Sequence, residues 1–375
     1  MIAVKKSRSI LKRLRREAVL LISACAALIS MLFVPPSSAY ASYIDLRVLV
    51  LLFCLMAVVA GFQRCGLFHV LAQRLLAGRR RMRLLSLALV LLPFFCSMLI
   101  TNDVALITFV PFAVLVLSLI GRQRHLIWVV VLQTVAANLG SMATPVGNPQ
   151  NLFLYEKFHI PPAAFFAATI PVVLISLALL ALAALRIQDE SLEVTFSAPA
   201  VLREPRLLAG YAVLFALCLL SVLHVLHYGV LFLIVTLFLL FFSRDVFRRV
   251  DYSLLLTFVC FFLFAGNIGR IESVRTALEG LMSAAPMLTP ALASQMISNV
   301  PAAVLLSGFT DRWQELLLGV NIGGLGTPIA SLASLISLRL YLRTEGARPL
   351  RYLGVFLAVN AVGLVVLLGA AALLF

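Results

Sequence analysis

Two short polar strings interrupt long apolar stretches of this sequence: Thr101-Asn102-Asp103 within 84–120, and Ser298-Asn299 within about 288–308. Thr101 offers a hydroxyl and Asn102 an amide that both donates and accepts. A helix end beside them leaves backbone groups unpaired, so an anion would find N–H donors there and a cation would find carbonyls. Asp103 adds a carboxylate, and an ionisable side chain at membrane depth is a functional candidate by default. It can serve as an ionised ligand for sodium or as a group that exchanges a proton; a plain helix cap is the structural alternative.

A second pair of strings carries the rest of the candidate chemistry. Asn138-Leu-Gly-Ser-Met-Ala-Thr-Pro-Val-Gly-Asn-Pro149 contains two glycines and two prolines, which no continuous helix tolerates. Asn321-Ile-Gly-Gly-Leu-Gly-Thr-Pro-Ile-Ala-Ser331 repeats the same order. Candidate ligands in the first are Asn138, Gly140, Thr144, Pro145, Asn148 and Asn151, and in the second Asn321, Gly323, Thr327, Pro328 and Ser331. The glycines admit close approach to the backbone. Intramembrane Ser, Thr and Asn also serve simply to bond neighbouring helices, but their recurrence as a matched set favours a ligand.

The elements that position these residues must be membrane helices. Of 375 residues, 63% are hydrophobic and 12% charged, against roughly 25% charged in a soluble domain. Apolar spans are expected at 18–34, 45–62, 126–158, 163–187, 207–223, 229–243, 251–267, 313–342 and 351–374. The stretch 84–120 is too long for one span and too short for two, and both its flanks are basic, so it reads as a re-entrant hairpin with Thr101-Asn102-Asp103 at its tip. The stretch 288–308 reads as a second hairpin. The spans 126–158 and 313–342 read as broken helices.

Net charge is +15, which raises the question of a nucleic-acid surface. The basic residues instead crowd into short loops at 5–16, 64–83, 122–124, 186–206, 244–249 and 339–351, leaving only Arg47, Lys157, Arg270, Arg275 and Arg312 elsewhere. That distribution is the positive-inside pattern. It excludes a nucleic-acid partner and places the N-terminus in the cytoplasm and the C-terminus in the periplasm of a bacterial inner membrane. The start of the chain imitates a secretory signal, with Ala39-Tyr40-Ala41 resembling a cleavage site, but is read as a retained first helix.

Aligning the two broken strings also aligns Thr101-Asn102 with Ser298-Asn299 and the apolar stretch after Asp45 with that after Asp251. Three matched elements in one order make an internal repeat, and counting spans makes the copies inverted. The fold expected is an all-α polytopic membrane protein. Residues 1–44 form a basic segment and first helix, 45–187 the first repeat, 188–206 a cytoplasmic linker and 207–375 the second repeat. Inverted repeats with discontinuous helices are the mark of secondary transporters.

Other residues carry less. Asp45 and Asp251 read as helix caps, His224 and His227 as solvated loop residues, and Glu156 and Lys157 as a pair at the outer end of the first broken span. The six cysteines are scattered within apolar runs and read as core residues. The sequence has no nucleotide loop, HExxH zinc site or GxSxG elbow, so neither an enzyme nor an ATP-driven pump is expected. No cofactor is expected, and no metal beyond a sodium ion at the same residues; a channel stays open as an alternative.

At these motifs the sequence resembles the ion transporter superfamily of divalent anion/sodium symporters, citrate transporter-like proteins and arsenite-pump membrane subunits. SNVPAAVLLSGFT at 298–310 and LLLGVNIGGLGTPIASLASLISLRLY at 316–341 carry the resemblance, which extends from about Asp45 to the C-terminus. In the symporter branch each hairpin tip is Ser-Asn-Thr and binds sodium and the substrate carboxylate. The resemblance therefore implies tip roles for Thr101, Asn102, Ser298 and Asn299, and a substrate that is a small anion coupled to sodium or protons. Asp103 and Val300 replace the third-position threonine, which leans away from dicarboxylates and toward the arsenite-pump-like or other anion-permease branches. Family members are often dimers in which an elevator domain moves past a scaffold, so a homodimer is expected. The span 207–223 has no counterpart in the first half.

Overall fold

Long apolar stretches with no water to satisfy their backbone must become helices, and in the computed structural model they do. It describes residues 18–196 and 198–375; the basic segment 5–16 lies outside the described residues. In chain order the first half runs α1 (Ala18–Phe33), α2 (Tyr40–Tyr43), α3 (Leu46–Arg64), α4 (Leu67–Leu76), β1 (Gly78–Arg81), α5 (Met82–Cys96), α6 (Asn102–Leu119), α7 (Leu126–Ser141), α8 (Pro149–Lys157) and α9 (Pro162–Ala184). After β2 (Ser191–Val194) come α10 (Pro205–Val222), α11 (Tyr228–Phe242), α12 (Tyr252–Ile268), α13 (Glu272–Ala284), α14 (Leu288–Ile297), α15 (Asn299–Leu306), α16 (Trp313–Ile322), α17 (Leu332–Tyr341) and α18 (Pro349–Leu374).

Among the described residues α3, α6, α9, α10 and α18 are each long and apolar enough to cross a membrane alone. The helices α1, α11 and α12 are equally apolar but have only 16, 15 and 17 residues. Large side chains such as Leu32, Phe241 and Leu373 face outward, 81%, 75% and 90% exposed. In water such surface would drive association; here it faces lipid. The chain is a multi-pass membrane protein.

Three packing groups frame the interior. The helices α5, α6, α7 and α17 pack on one another, so the second half of the second broken helix sits with the first hairpin. The helices α14, α15 and α16 form another group, with α15 also against α8 and α12. Outside them α1 lies along α12, while α10 and α11 lie along α3. The contact of α1 is specific: the Asn267 amide on α12 donates to Ser30 Oγ and to Tyr40 Oη, both at 2.9 Å.

Two departures from the sequence reading concern the loops. The fold is not wholly helical, because β1 pairs antiparallel with β2, bringing part of the 188–206 linker onto the start of the first hairpin. Beside it Arg122 grips Glu190 with two bonds of 2.6 and 2.5 Å. The Arg122 guanidinium holds the Glu190 carboxyl below its usual range, so the pair stays ionised at neutral pH and is lost only as pH falls through that lowered value. The second departure is that α4 and α13 are additional amphipathic helices. Each follows directly on its transmembrane neighbour, and α13 turns 102° from α12.

Candidate functional site

The two hairpins turn differently. Five residues, 97–101, separate α5 from α6, whereas Ser298 alone separates α14 from α15. Ser298 has φ 72° and ψ 155°, a region that is otherwise almost exclusively glycine's, while Thr101 has an ordinary extended φ of −62°. At both tips the asparagine side chain folds onto the next residue. Asn102 Oδ1 accepts from the Asp103 N–H at 3.1 Å, and Asn299 Oδ1 accepts from the Val300 N–H at 3.0 Å.

The breaks are narrower than their polar strings. Asn138 and Gly140 lie inside α7 and Asn321 inside α16, so the non-helical backbone covers only 142–148 and 323–331. These gaps hold Pro145 and Pro328. Thr144 Oγ1 donates to the Met98 carbonyl, and Thr327 Oγ1 donates to that of Gln295 at 3.3 Å; in each case the acceptor is three residues before the tip residue. Gly140 and Gly323 have matching packing roles. A Cβ on Gly140 would strike the Phe94 carbonyl, and one on Gly323 would lie 2.7 Å from Ala291 Cα. Each broken helix thus presses on the first arm of its own hairpin through a glycine.

Side chains from the two halves interlock between the breaks. Asn138 Oδ1 accepts from Asn102 Nδ2 and from Ser331 Oγ, both at 3.0 Å. Asn148 Nδ2 donates to Asn321 Oδ1 at 3.0 Å, and Asn321 Nδ2 donates to Asn151 Oδ1 at 2.6 Å. Thr134 Oγ1 donates to Ser337 Oγ at 2.7 Å. Asn148 and Ser331 also cap the helices that follow, accepting from the Asn151 and Ala333 N–H groups. All these polar side chains are buried, and buried polar groups need such partners. Much of the candidate set therefore holds the two breaks together.

A cavity of about 510 Å³ borders this network, within the size range of small-molecule sites. Thr101 and Asp103 line it from the first tip, Asn148 and Pro149 from the first break, and Leu332 and Arg339 from α17. Gln63, Arg248, Arg249 and Asp251 complete its polar wall. The N-termini of α6, α8 and α17 all begin at this wall. Asp103 Oδ1 is buried and has no hydrogen-bond partner among the described residues.

The sequence candidates divide at this cavity. Thr101, Asp103 and Asn148 line it; Asn102, Asn138 and Asn321 stand behind in the network. Ser298, Asn299, Thr327 and Pro328 do not line it, and the second tip is closed against its own break, with the Asn299 N–H bonded to the Ala330 carbonyl at 2.9 Å.

Several further contacts shape the site. Gln295 clamps the second break, donating from Nε2 to the Gly323 and Leu325 carbonyls at 2.7 and 2.8 Å and accepting from the Thr327 N–H at 2.8 Å. A lone glutamine three residues before a tip was the available signal. Glu156 pairs with Arg47 at 2.6 Å and not with Lys157, because Arg47 at the start of α3 reaches the end of α8. His224 is not simply solvated: its Nε2 lies 3.8 Å from Glu156 and its ring stacks on Tyr155. Asp45 and Asp251 do cap α3 and α12, each accepting from the N–H three residues on at 3.0 Å.

Comparison with known proteins fits this architecture. The citrate transporter family, CitMHS, matches residues 8–310. An uncharacterized transporter of Methanocaldococcus jannaschii is 33% identical over 291 residues, 77% of this chain and 79% of its own length. The inner membrane protein YbiR of Escherichia coli is 28% identical over 313 residues, 82% and 83% of the two chains. A silicon efflux transporter of rice, LSI3, is 38% identical over 139 residues, 36% of this chain and 27% of its own. With its paired hairpins and broken helices, and with most of its length matched, the chain belongs to the citrate transporter family, within the ion transporter superfamily, and is a membrane transporter.

Proposed function

We propose that this transporter is a secondary active permease for a small inorganic or organic anion, coupled to sodium or protons. One observation carries the anion: the N-termini of α6, α8 and α17 converge on one cavity. Each helix start presents the positive end of its dipole, with one first-turn N–H taken by a cap, at Asp103, Asn151 and Ala333, and such helix N-termini favour an anion. Arg248, Arg249 and Arg339 add positive charge to the same wall.

The matched tips, breaks and glycine contacts support two copies of one motif, and the basic loops support their inverted orientation, N-terminus inside. We place the protein in a bacterial inner membrane, the location that the name of the inner membrane protein YbiR gives for that relative. The moving body would be the hairpins with their broken helices, and the scaffold α1, α3 and α10–α12, working as an elevator in a homodimer.

Asp103 favours one specific alternative, sodium/proton antiport, since a carboxylate with an unpartnered oxygen beside a cavity is a cation or proton ligand. Metalloid efflux is the reading that the rice relative supports. Reconstitution in proteoliposomes separates these. Uphill accumulation of one anion driven by an imposed sodium or proton gradient is the expected result; sodium flux against a proton gradient with no anion dependence would replace it with antiport. If Asp103 carries the coupling proton, Asp103→Asn makes anion exchange insensitive to pH, and retained pH dependence moves the coupling elsewhere.

A further inference from the structure

A second cavity, of about 950 Å³, lies away from the two breaks, at the outer ends of the broken helices. Its walls come from the end of α6, the start of α7, the end of α17 and the loop leading into α18. Arg124, Arg343, Arg348 and Arg351 line it, against one acidic residue, Glu345. Arg124 is engaged, 3.6 Å from Glu190, whereas no ion pair occupies Arg343, Arg348 or Arg351 among the described residues. Tyr341 fixes the loop that carries them, its hydroxyl accepting from the Arg348 N–H at 3.0 Å.

The charge pattern asks for an anion with several oxygens. Guanidinium groups bind phosphate in a planar, two-point manner, and three of them with no ion pair among the described residues, set around one opening against the single Glu345, oversupply a monovalent carboxylate. The surroundings say where that anion comes from. Pro111, Val114 and Leu340 line the same cavity, and Leu115, Leu119, Leu342 and Leu350 are exposed nearby in sequence, Leu350 by 85%. These leucines lie at helix ends that adjoin the basic loops 122–124 and 339–351, where a helix end meets the membrane surface if those loops are cytoplasmic. A ligand with a phosphate at one end and hydrocarbon at the other satisfies both parts.

We propose that this cavity is a binding site for the phosphate headgroup of an anionic phospholipid, whose chains run along the exposed leucines. Basic pockets between membrane helices bind such headgroups. An occupant would bridge the return arm of the first hairpin, α6, to the second half of the other broken helix, α17. It would thus act on the elements that the anion cavity shares, without touching that cavity.

The test uses the full chain in detergent. Thermal midpoints are measured against phosphatidylglycerol, against phosphatidylcholine, and against inorganic phosphate, for the parent, for the triple variant Arg343→Gln/Arg348→Gln/Arg351→Gln, and for the matching triple Lys variant. Phosphatidylglycerol should raise the midpoint of the parent and of the Lys variant by several degrees. The Gln variant should need on the order of a hundredfold more of it, at about one factor of five per charge. Size-exclusion profiles of the three proteins show whether each is folded before lipid is added. Equal stabilisation by phosphatidylcholine, or an unchanged response in the Gln variant, would overturn the site. Inorganic phosphate acting as well as the lipid, with the same loss in the Gln variant, would overturn the lipid as its occupant.

Discussion

Single residues in this protein do two different jobs, and substitution separates them. Asn102 ties the first tip to Asn138, and Asn299 folds onto the second tip. Asn102→Ala and Asn299→Ala should each abolish uptake while leaving membrane expression unchanged, as read by transport into vesicles; unchanged uptake in both would remove the tips from the site. Ser298 is a residue under strain. Its conformation costs about 1–3 kcal/mol, so Ser298→Gly should raise the thermal midpoint, whereas Ser298→Ala should not, because it keeps the strain and loses the hydroxyl. A lower midpoint for the glycine variant would mean that the hydroxyl outweighs the backbone. The tip residues were legible in the sequence because polar strings stand out in apolar surroundings. Their partners were not: Gln295 and Ser334 are ordinary residues until the fold brings them to a break, and the pairing of Glu156 with Arg47 joins positions far apart in the chain.

At the scale of elements, the breaks and hairpins depend on close contacts between helices. Gly140→Ala should destabilise by about 1–3 kcal/mol, the usual penalty for overpacking, since the added carbon meets the Phe94 carbonyl. Gly323→Ala should do the same against Ala291, and the two effects can be compared by thermal unfolding. The ion pair of Arg47 with Glu156 joins α3 to α8, that is, the proposed scaffold to the proposed moving body. Glu156 is 2% exposed at its side chain. Removing one partner of a buried pair costs about 3–5 kcal/mol, so Glu156→Leu should lower the thermal midpoint sharply, and adding Arg47→Met should recover part of the loss. No recovery in the double variant would mean that the two groups are not coupled. Hydropathy placed the spans to within a few residues because lipid demands long apolar runs. It could not find α4 or α13, which are short and amphipathic, with polar residues interspersed among the apolar ones, nor the β1–β2 pair, since GRRR at 78–81 reads as a basic loop until its partner strand is known.

For the molecule as a whole, the local structures that occur twice explain why the interior is polar where it should be apolar. Two hairpin-and-broken-helix units meet there, and the side chains of Asn138, Asn148, Asn151, Asn321 and Ser331 bond to one another across the centre. The two halves are not chemically equal. Asp103 faces the cavity while Val300, at the matching position, is buried, so one half carries the charge and the other packs. The proposed anion site lies where the N-termini of α6, α8 and α17 meet. Thermal stabilisation of the purified protein against citrate, succinate, sulfate, phosphate and arsenite, each with and without sodium and at two pH values, tests it most directly. One anion should stabilise the protein, more strongly with sodium or at one pH, and Asn102→Ala should remove the effect. Stabilisation by sodium or by pH alone, with no anion acting, would contradict it.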